Sequence, residues 1–119
     1  MGAEAQIMEL SVEKHADGVA ELHLKGRLDT AGTSAIELKF SAATGANRAV
    51  VVNMAEVEFL TSLGVRLLLQ GAKTVRSKGG KLALLQPGEL VHNVLKTAGV
   101  EPLIPTFQDR SAAFAAVTA

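Results

Sequence analysis

Few side chains in this sequence invite chemistry, and the most suggestive are two adjacent hydroxyls, Thr61 and Ser62, inside the stretch Val57-Glu58-Phe59-Leu60-Thr61-Ser62-Leu63-Gly64-Val65. They stand between an apolar run, Ala49 to Met54, and the longest helical pattern in the chain, so they fall where that helix should begin. Two chemistries suit hydroxyls in that position. A short side-chain oxygen can accept a hydrogen bond from an orphan amide of the first turn and cap the helix. The same oxygen can instead take a phosphoryl group, which adds about 1.5 to 2 negative charges and three acceptor oxygens. A helix N-terminus tolerates such a group, because its amides and macrodipole favour an anion by roughly 0.3–1 kcal/mol.

The remaining candidates are weaker. His15, His23 and His92 are widely spaced, on a turn, a strand's wet face and a helix, and no pair has metal-ligand spacing. They read as solvated side chains, and no metal or cofactor is expected. Asp29 could act as a base, but a helix-cap role explains it and no His or Cys nucleophile stands nearby in sequence. Gly79-Gly80 precedes a strand instead of following one, which makes it a helix stop and not a phosphate loop. Nothing here argues for catalysis.

Bulk properties narrow the classes further. With 119 residues, 48% of them hydrophobic, the chain suits one domain over 1–119 with a single core. Formal net charge is zero, so the long-range field of a nucleic-acid or anionic-membrane binder is missing. There is no Trp or Tyr and there are only four Phe, which leaves few platforms for base stacking. No cysteine is present to form a disulfide or a thiolate nucleophile. No stretch approaches the roughly 18 apolar residues of a membrane span, and the start of the chain lacks the pattern of a secretory signal. A cytoplasmic protein is expected.

The elements that must position the hydroxyls follow from periodicity. Met8, Leu10 and Val12 alternate with polar neighbours, as do Ala20, Leu22 and Leu24 with Glu21, His23 and Lys25, and the turn Ala16-Asp17-Gly18 joins them into a hairpin. Asp29 or Thr30 caps a helix from Ala31 to about Ala43, with Ala31, Ala35, Leu38 and Ala42 at helical spacing, Ile36 and Phe40 beside them, and Gly45 as its stop. The unbroken apolar run Ala49 to Met54 predicts a central strand covered on both faces. A helix from Leu63 to about Lys78, a strand Lys81 to Leu85, and a helix opened by Pro87-Gly88 and stopped by Gly99 come next. In that last helix Leu90, Val91, Val94, Leu95 and Ala98 form the expected buried face. Leu103-Ile104 reads as a proline-flanked edge strand, and Asp109 caps a final helix docked by Ala113, Phe114 and Val117. The predicted fold class is α/β: a mixed, mostly parallel sheet that begins with an antiparallel hairpin, with about four helices packed on it.

At about 100° per residue, Val65, Leu68, Leu69, Ala72 and Val75 share one sector of the central helix, opposite Arg66, Gln70, Lys73, Thr74 and Ser77. Arg76 lies at the edge of the apolar sector, where its stem can be buried with its charge in water. Leu63 and Leu67 break this division, since they fall on the polar side next to the hydroxyls. Either they form a contact patch for a partner, or a loop or the last helix covers them.

With these residues laid out, the chain resembles a STAS domain, the family named for sulphate transporters and anti-sigma factor antagonists. The resemblance rests on Gly26-Arg27-Leu28-Asp29-Thr30, on Ala49 to Met54 leading into Val57-x-Phe59-Leu60-x-Ser62-x-Gly64, on Lys78-Gly79-Gly80-Lys81-Leu82, and on Val94-Leu95-Lys96-Thr97-Ala98-Gly99. It implies a bacterial partner-switching protein. The unmodified antagonist binds an anti-sigma factor that is also a serine kinase, phosphorylation ends that binding, and a phosphatase restores it. By motif position Ser62 corresponds to the phosphoacceptor, with Thr61 as second choice. The implied partner surface comprises Asp29, Thr30, Thr61, Ser62, Leu63, Gly64, Arg66 and Leu67. Antagonists commonly read Asp-Ser-Ser-Gly where this chain has Thr61-Ser62-Leu63-Gly64, and an Asp often stands where Asn53 does. Two alternatives remain: a non-phosphorylated STAS interaction subunit of a lipid-transport or signalling assembly, and a small-molecule or nucleotide binder using the amides of this helix start.

Overall fold

The computed structural model describes residues 8–119. Five strands and four helices follow in the expected order: β1 (Glu9–Lys14), β2 (Ala20–Leu28), α1 (Thr30–Ala46), β3 (Ala49–Leu60), α2 (Ser62–Ser77), β4 (Lys81–Leu85), α3 (Glu89–Ala98), β5 (Thr106–Phe107) and α4 (Arg110–Thr118). The sheet order is β1-β2-β3-β4-β5, with β1 antiparallel to β2 and all later neighbours parallel. The α/β architecture with a hairpin start is therefore as the periodicity predicts.

Helices cover the two faces unequally. One core joins Leu22, Leu24, Val50, Val52, Leu82 and Leu84 of the sheet to Ile36 and Phe40 of α1, Val65 and Leu68 of α2, and Val91 and Leu95 of α3. The second, smaller core places Val19, Val51, Ala83 and Leu85 against Ala113 and Val117 of α4. Strands β3 and β4 have apolar residues at consecutive positions because each face is covered, as the unbroken run Ala49 to Met54 implies.

Several local expectations are corrected. In β1, Val12 is 43% exposed, so alternation there buries only Leu10. In β2, Glu21 is fully buried and not on a wet face, since α4 covers that side of the sheet. Helix α1 runs through Gly45 to Ala46, and Asn47 is its C-cap. Its buried stripe is Gly32, Ile36, Phe40, Ala43 and Thr44, and Leu38, two residues and about 200° from Ile36, is 87% exposed. Strand β3 continues past Met54 to Leu60 because Glu56, Val57, Phe59 and Leu60 keep pairing with Lys25 to Leu28 of β2 through two register shifts. Leu103-Ile104 is a turn: both amides donate to the Val100 carbonyl at 2.8 Å. The edge strand starts only after Pro105, whose carbonyl accepts from Leu84 N at 2.9 Å. In α3 only Val91 and Leu95 are buried, while Leu90 is 63% exposed.

Helices α1 and α2 close on each other at Gly71, where an added Cβ would lie 2.5 and 2.9 Å from the buried ring of Phe40. Gly71→Ala raises helix propensity by about 0.8–1 kcal/mol, but overpacking typically costs about 1–3 kcal/mol. Because Phe40 is fully enclosed, the second effect should win. Urea denaturation is expected to show a lower midpoint with an unchanged slope.

Candidate functional site

Strands β2 and β3 are parallel and end together, with Arg27 opposite Phe59 and Leu28 opposite Leu60. Two helices therefore begin side by side at the carboxyl ends of adjacent strands. Asp29 is the N-cap of α1 and its Oδ1 accepts from Gly32 N at 2.8 Å. Thr61 occupies the same place for α2, but caps nothing with its side chain. Its Oγ1 donates to the Leu28 carbonyl at 2.9 Å, and its backbone N donates to that same oxygen at 3.0 Å. The Thr61 hydroxyl thus ties the two strand ends together. Ser62, the first residue of α2, is exposed, and the Thr61 bond is the hydroxyl hydrogen bond seen at this junction among the described residues. The expectation that one hydroxyl caps α2 is corrected accordingly.

The other predicted residues divide by burial. Gly64 is buried because α2 starts in close contact with β2: a Cβ there would meet Leu60 Cδ1 at 2.8 Å, Leu28 Cβ at 2.9 Å and Leu28 O at 3.0 Å. Leu67 is 3% exposed and belongs to the main core, so the pair of exposed leucines reduces to Leu63 at 39%. Helix α1 provides the cover, since Leu63, Arg66 and Leu67 line a cleft of about 220 Å³ together with Thr30, Thr33 and Glu37 of α1. Thr30 and Arg66 are exposed. Arg27 stacks 4.4 Å above the ring of Phe59, and its Nε lies 3.3 Å from Asp29 Oδ2. The amide of Gly32 and the nearby Arg27 hold the Asp29 carboxyl below its ordinary range.

Periodicity missed the apolar surface on the other flank of Ser62. A groove of about 370 Å³ is lined by Ser62 and Val65 of α2 and by Leu90, Asn93, Val94, Thr97 and Ala98 of α3. The signal lay in α3 itself, which carries two apolar rows, Val91 with Leu95 and Leu90 with Val94 and Ala98. The core buries the first fully and the second only in part, through Val94. Ser62 therefore sits at the lip of an open apolar groove, with the α1–α2 cleft on the opposite side of the helix start.

A second cluster lies on the α4 face. Glu21 Oε2 accepts from Asn53 Nδ2 at 2.9 Å and Arg110 Nη1 at 2.8 Å, Arg110 Nη2 donates to Oε1, and His15 Nε2 lies 2.9 Å from Oε1. Burial pushes the Glu21 carboxyl up, but the bonds from Arg110, Asn53 and His15 and the charge of His23 outweigh it and bring it down to about 2. His15 and His23, read as separate solvated residues, converge here with Glu13 and Glu21. The hairpin register, which sets Glu13 opposite Glu21, brings them together. His92 stays apart, paired with Glu101 at 2.9 Å.

Two outcomes follow for the helix starts. Thr61→Val removes a net hydrogen bond worth about 0.5–1.5 kcal/mol, whereas Ser62→Ala should change stability by no more than about 0.5 kcal/mol; chemical denaturation of both variants checks this order. Asp29 has a depressed folded-state value, so its stabilising effect is present above the ordinary aspartate range near pH 4 and is lost as pH falls through the lower folded value. The stability difference between wild type and Asp29→Ala should therefore shrink as urea titrations are carried below about pH 4.

Comparison with known proteins agrees with this geometry. Residues 11–113 match the STAS domain family. Over 110 residues the chain is 29% identical to BtrV of Bordetella bronchiseptica, covering 92% of this chain and 94% of that protein. It is 25% identical over 105 residues to the anti-sigma F factor antagonist of Paenibacillus polymyxa, covering 86% and 90%. The crystal structure of an anti-sigma factor antagonist from Mycobacterium paratuberculosis superposes with a TM-score of 0.86 at 22% identity, covering 96% of this chain and 97% of the other. No helix among the described residues is long and apolar enough to cross a membrane. With its hairpin-led sheet, its paired helix starts and a family match over most of its length, the chain belongs to the STAS domain family.

Proposed function

We propose that this protein is an anti-sigma factor antagonist that docks an anti-sigma factor with serine-kinase activity through the start of α2, and that phosphorylation of Ser62 ends the docking. The observation that carries this is the position of Ser62, an exposed hydroxyl on the first residue of a 16-residue helix and at the lip of an apolar groove. The naming of the Paenibacillus polymyxa relative supports the partner class. Ser62 is favoured over Thr61 as acceptor because the Thr61 hydroxyl is committed to the Leu28 carbonyl.

The physical logic separates fold from complex. A phosphate on Ser62 meets the amide end of α2, and Arg66, four residues on and exposed, is on the same helix face with the charge order that favours pairing. The folded state keeps its stability after modification. A partner covering Val65, Leu90 and Val94 would have to desolvate a phosphate at the rim of its contact, which is costly without a matching cation. Leu63, Thr30 and Asp29 extend the docking surface toward α1, while Gly64 and Leu67 act from below by setting the height of the helix. A phosphatase would reverse the switch.

Incubation with the cognate kinase and ATP should add one phosphate to wild type and none to Ser62→Ala, as read by intact mass. Ser62→Asp should keep the stability of wild type and bind the kinase at least tenfold more weakly by calorimetry. Equal binding by wild type and Ser62→Asp would leave a constitutive interaction subunit as the better description.

A further inference from the structure

We propose that Glu13, His15 and Glu21, with His23 beside them, form a binding site for a divalent cation of the zinc class, on the face of the sheet opposite the helices that carry Ser62. The site is independent of the partner switch and rests on ligand geometry. Glu13 Oε1 lies 2.9 Å from His23 Nε2 and 3.8 Å from His15 Nε2, and Glu21 Oε1 lies 2.9 Å from His15 Nε2 and 3.6 Å from His23 Nε2. His15 Nε2 thus lies between two carboxylate oxygens, and His23 Nε2 approaches the same pair from beside it. Donors about 2.0–2.1 Å from a tetrahedral zinc are about 3.4 Å apart, and the contacts of His15 Nε2 with Glu21 and Glu13, at 2.9 and 3.8 Å, bracket that spacing. Glu13, His15 and Glu21 each offer a ligand atom within 4.8 Å of the others.

The surroundings hold these donors in place. Glu21 is fully buried, and Asn53 and Arg110 Nη1 take up its Oε2. Arg110 Nη2 takes one side of Oε1, which leaves the other lone-pair direction facing the histidines. The ring of His15 packs edge-on against Phe114 at 5.0 Å, which fixes the direction of its Nε2. Anchoring of ligands by such outer contacts is typical of metal sites. Charge points the same way: with the imidazoles counted as neutral, two carboxylates and the Arg110 guanidinium leave one net negative charge, and a dication inverts it. Imidazole with carboxylate suits zinc, whereas magnesium prefers an all-oxygen octahedron. Side-chain exposures of 56% for Glu13, 36% for His23 and 23% for His15 leave the cluster open to solvent, so an ion can enter.

Calorimetric titration of the full chain with ZnCl2, with MgCl2 as control, tests the site. One zinc per chain and no heat with magnesium are expected. Zinc affinity should fall at least tenfold in His15→Ala, His23→Ala and Glu13→Gln, and stay unchanged in His92→Ala. On the wild-type protein, saturating zinc should shift the imidazole NMR signals of His15 and His23 and leave those of His92 in place, a readout independent of any variant's folding. Absence of zinc binding, or binding that moves neither His15 nor His23, overturns the proposal.

Discussion

The carbonyl of Leu28 is the point on which the end of the molecule that carries Ser62 depends. It accepts both the backbone N and the side-chain hydroxyl of Thr61, and so locks the end of β2 to the end of β3. Parallel strands that finish level send their helices off from the same edge. The start of α1, capped by Asp29, and the start of α2 are neighbours for that reason. Gly64 completes the arrangement, since any side chain there would push α2 off Leu28 and Leu60.

This constraint gives two adjacent hydroxyls different work. Thr61 is turned inward to a buried carbonyl, and its β-branched, extended backbone suits the last residue before a helix. Ser62 is left outside the hydrogen-bonded junction, on a rigid element, with apolar surface beside it. On the proposed reading, a charge placed there has little consequence for the fold and a large one for a partner packed on the groove. The departure from the commoner acidic residue at position 61 then has a structural counterpart: threonine offers a donor to Leu28 O, which a carboxylate lacks.

The opposite face obeys different chemistry. Helix α4 covers only part of the sheet there, and its first residue, Arg110, reaches over Glu21. A buried carboxylate is stable only if paired and hydrogen-bonded. Asn53, Arg110 and His15 meet that demand together, which couples the hairpin, the central strand and the last helix through one side chain. Asn53 thereby has a structural role on β3, away from Ser62. The two faces share β2 and β3 but present unrelated surfaces.

Periodicity and turn chemistry alone determined the element order, the hairpin, the parallel sheet, a cap at Asp29 or Thr30 and one at Asp109, the stop at Gly99 and the location of Thr61-Ser62 at a helix start. These are local properties, carried by spacing along the chain and by the few residues that tolerate a given backbone. What only the tertiary structure decided are the matters that depend on which neighbour arrives. Leu67 is buried because α1 packs over it, Leu38 and Leu90 are exposed because no element among the described residues covers them, and Glu21 is buried because α4 lands on its face. The Thr61 hydroxyl bonds a strand 33 residues away instead of its own helix, and His15, His23 and Glu13 meet through the register of a hairpin. Burial and partner choice are set by contacts distant in sequence, and no local pattern encodes them.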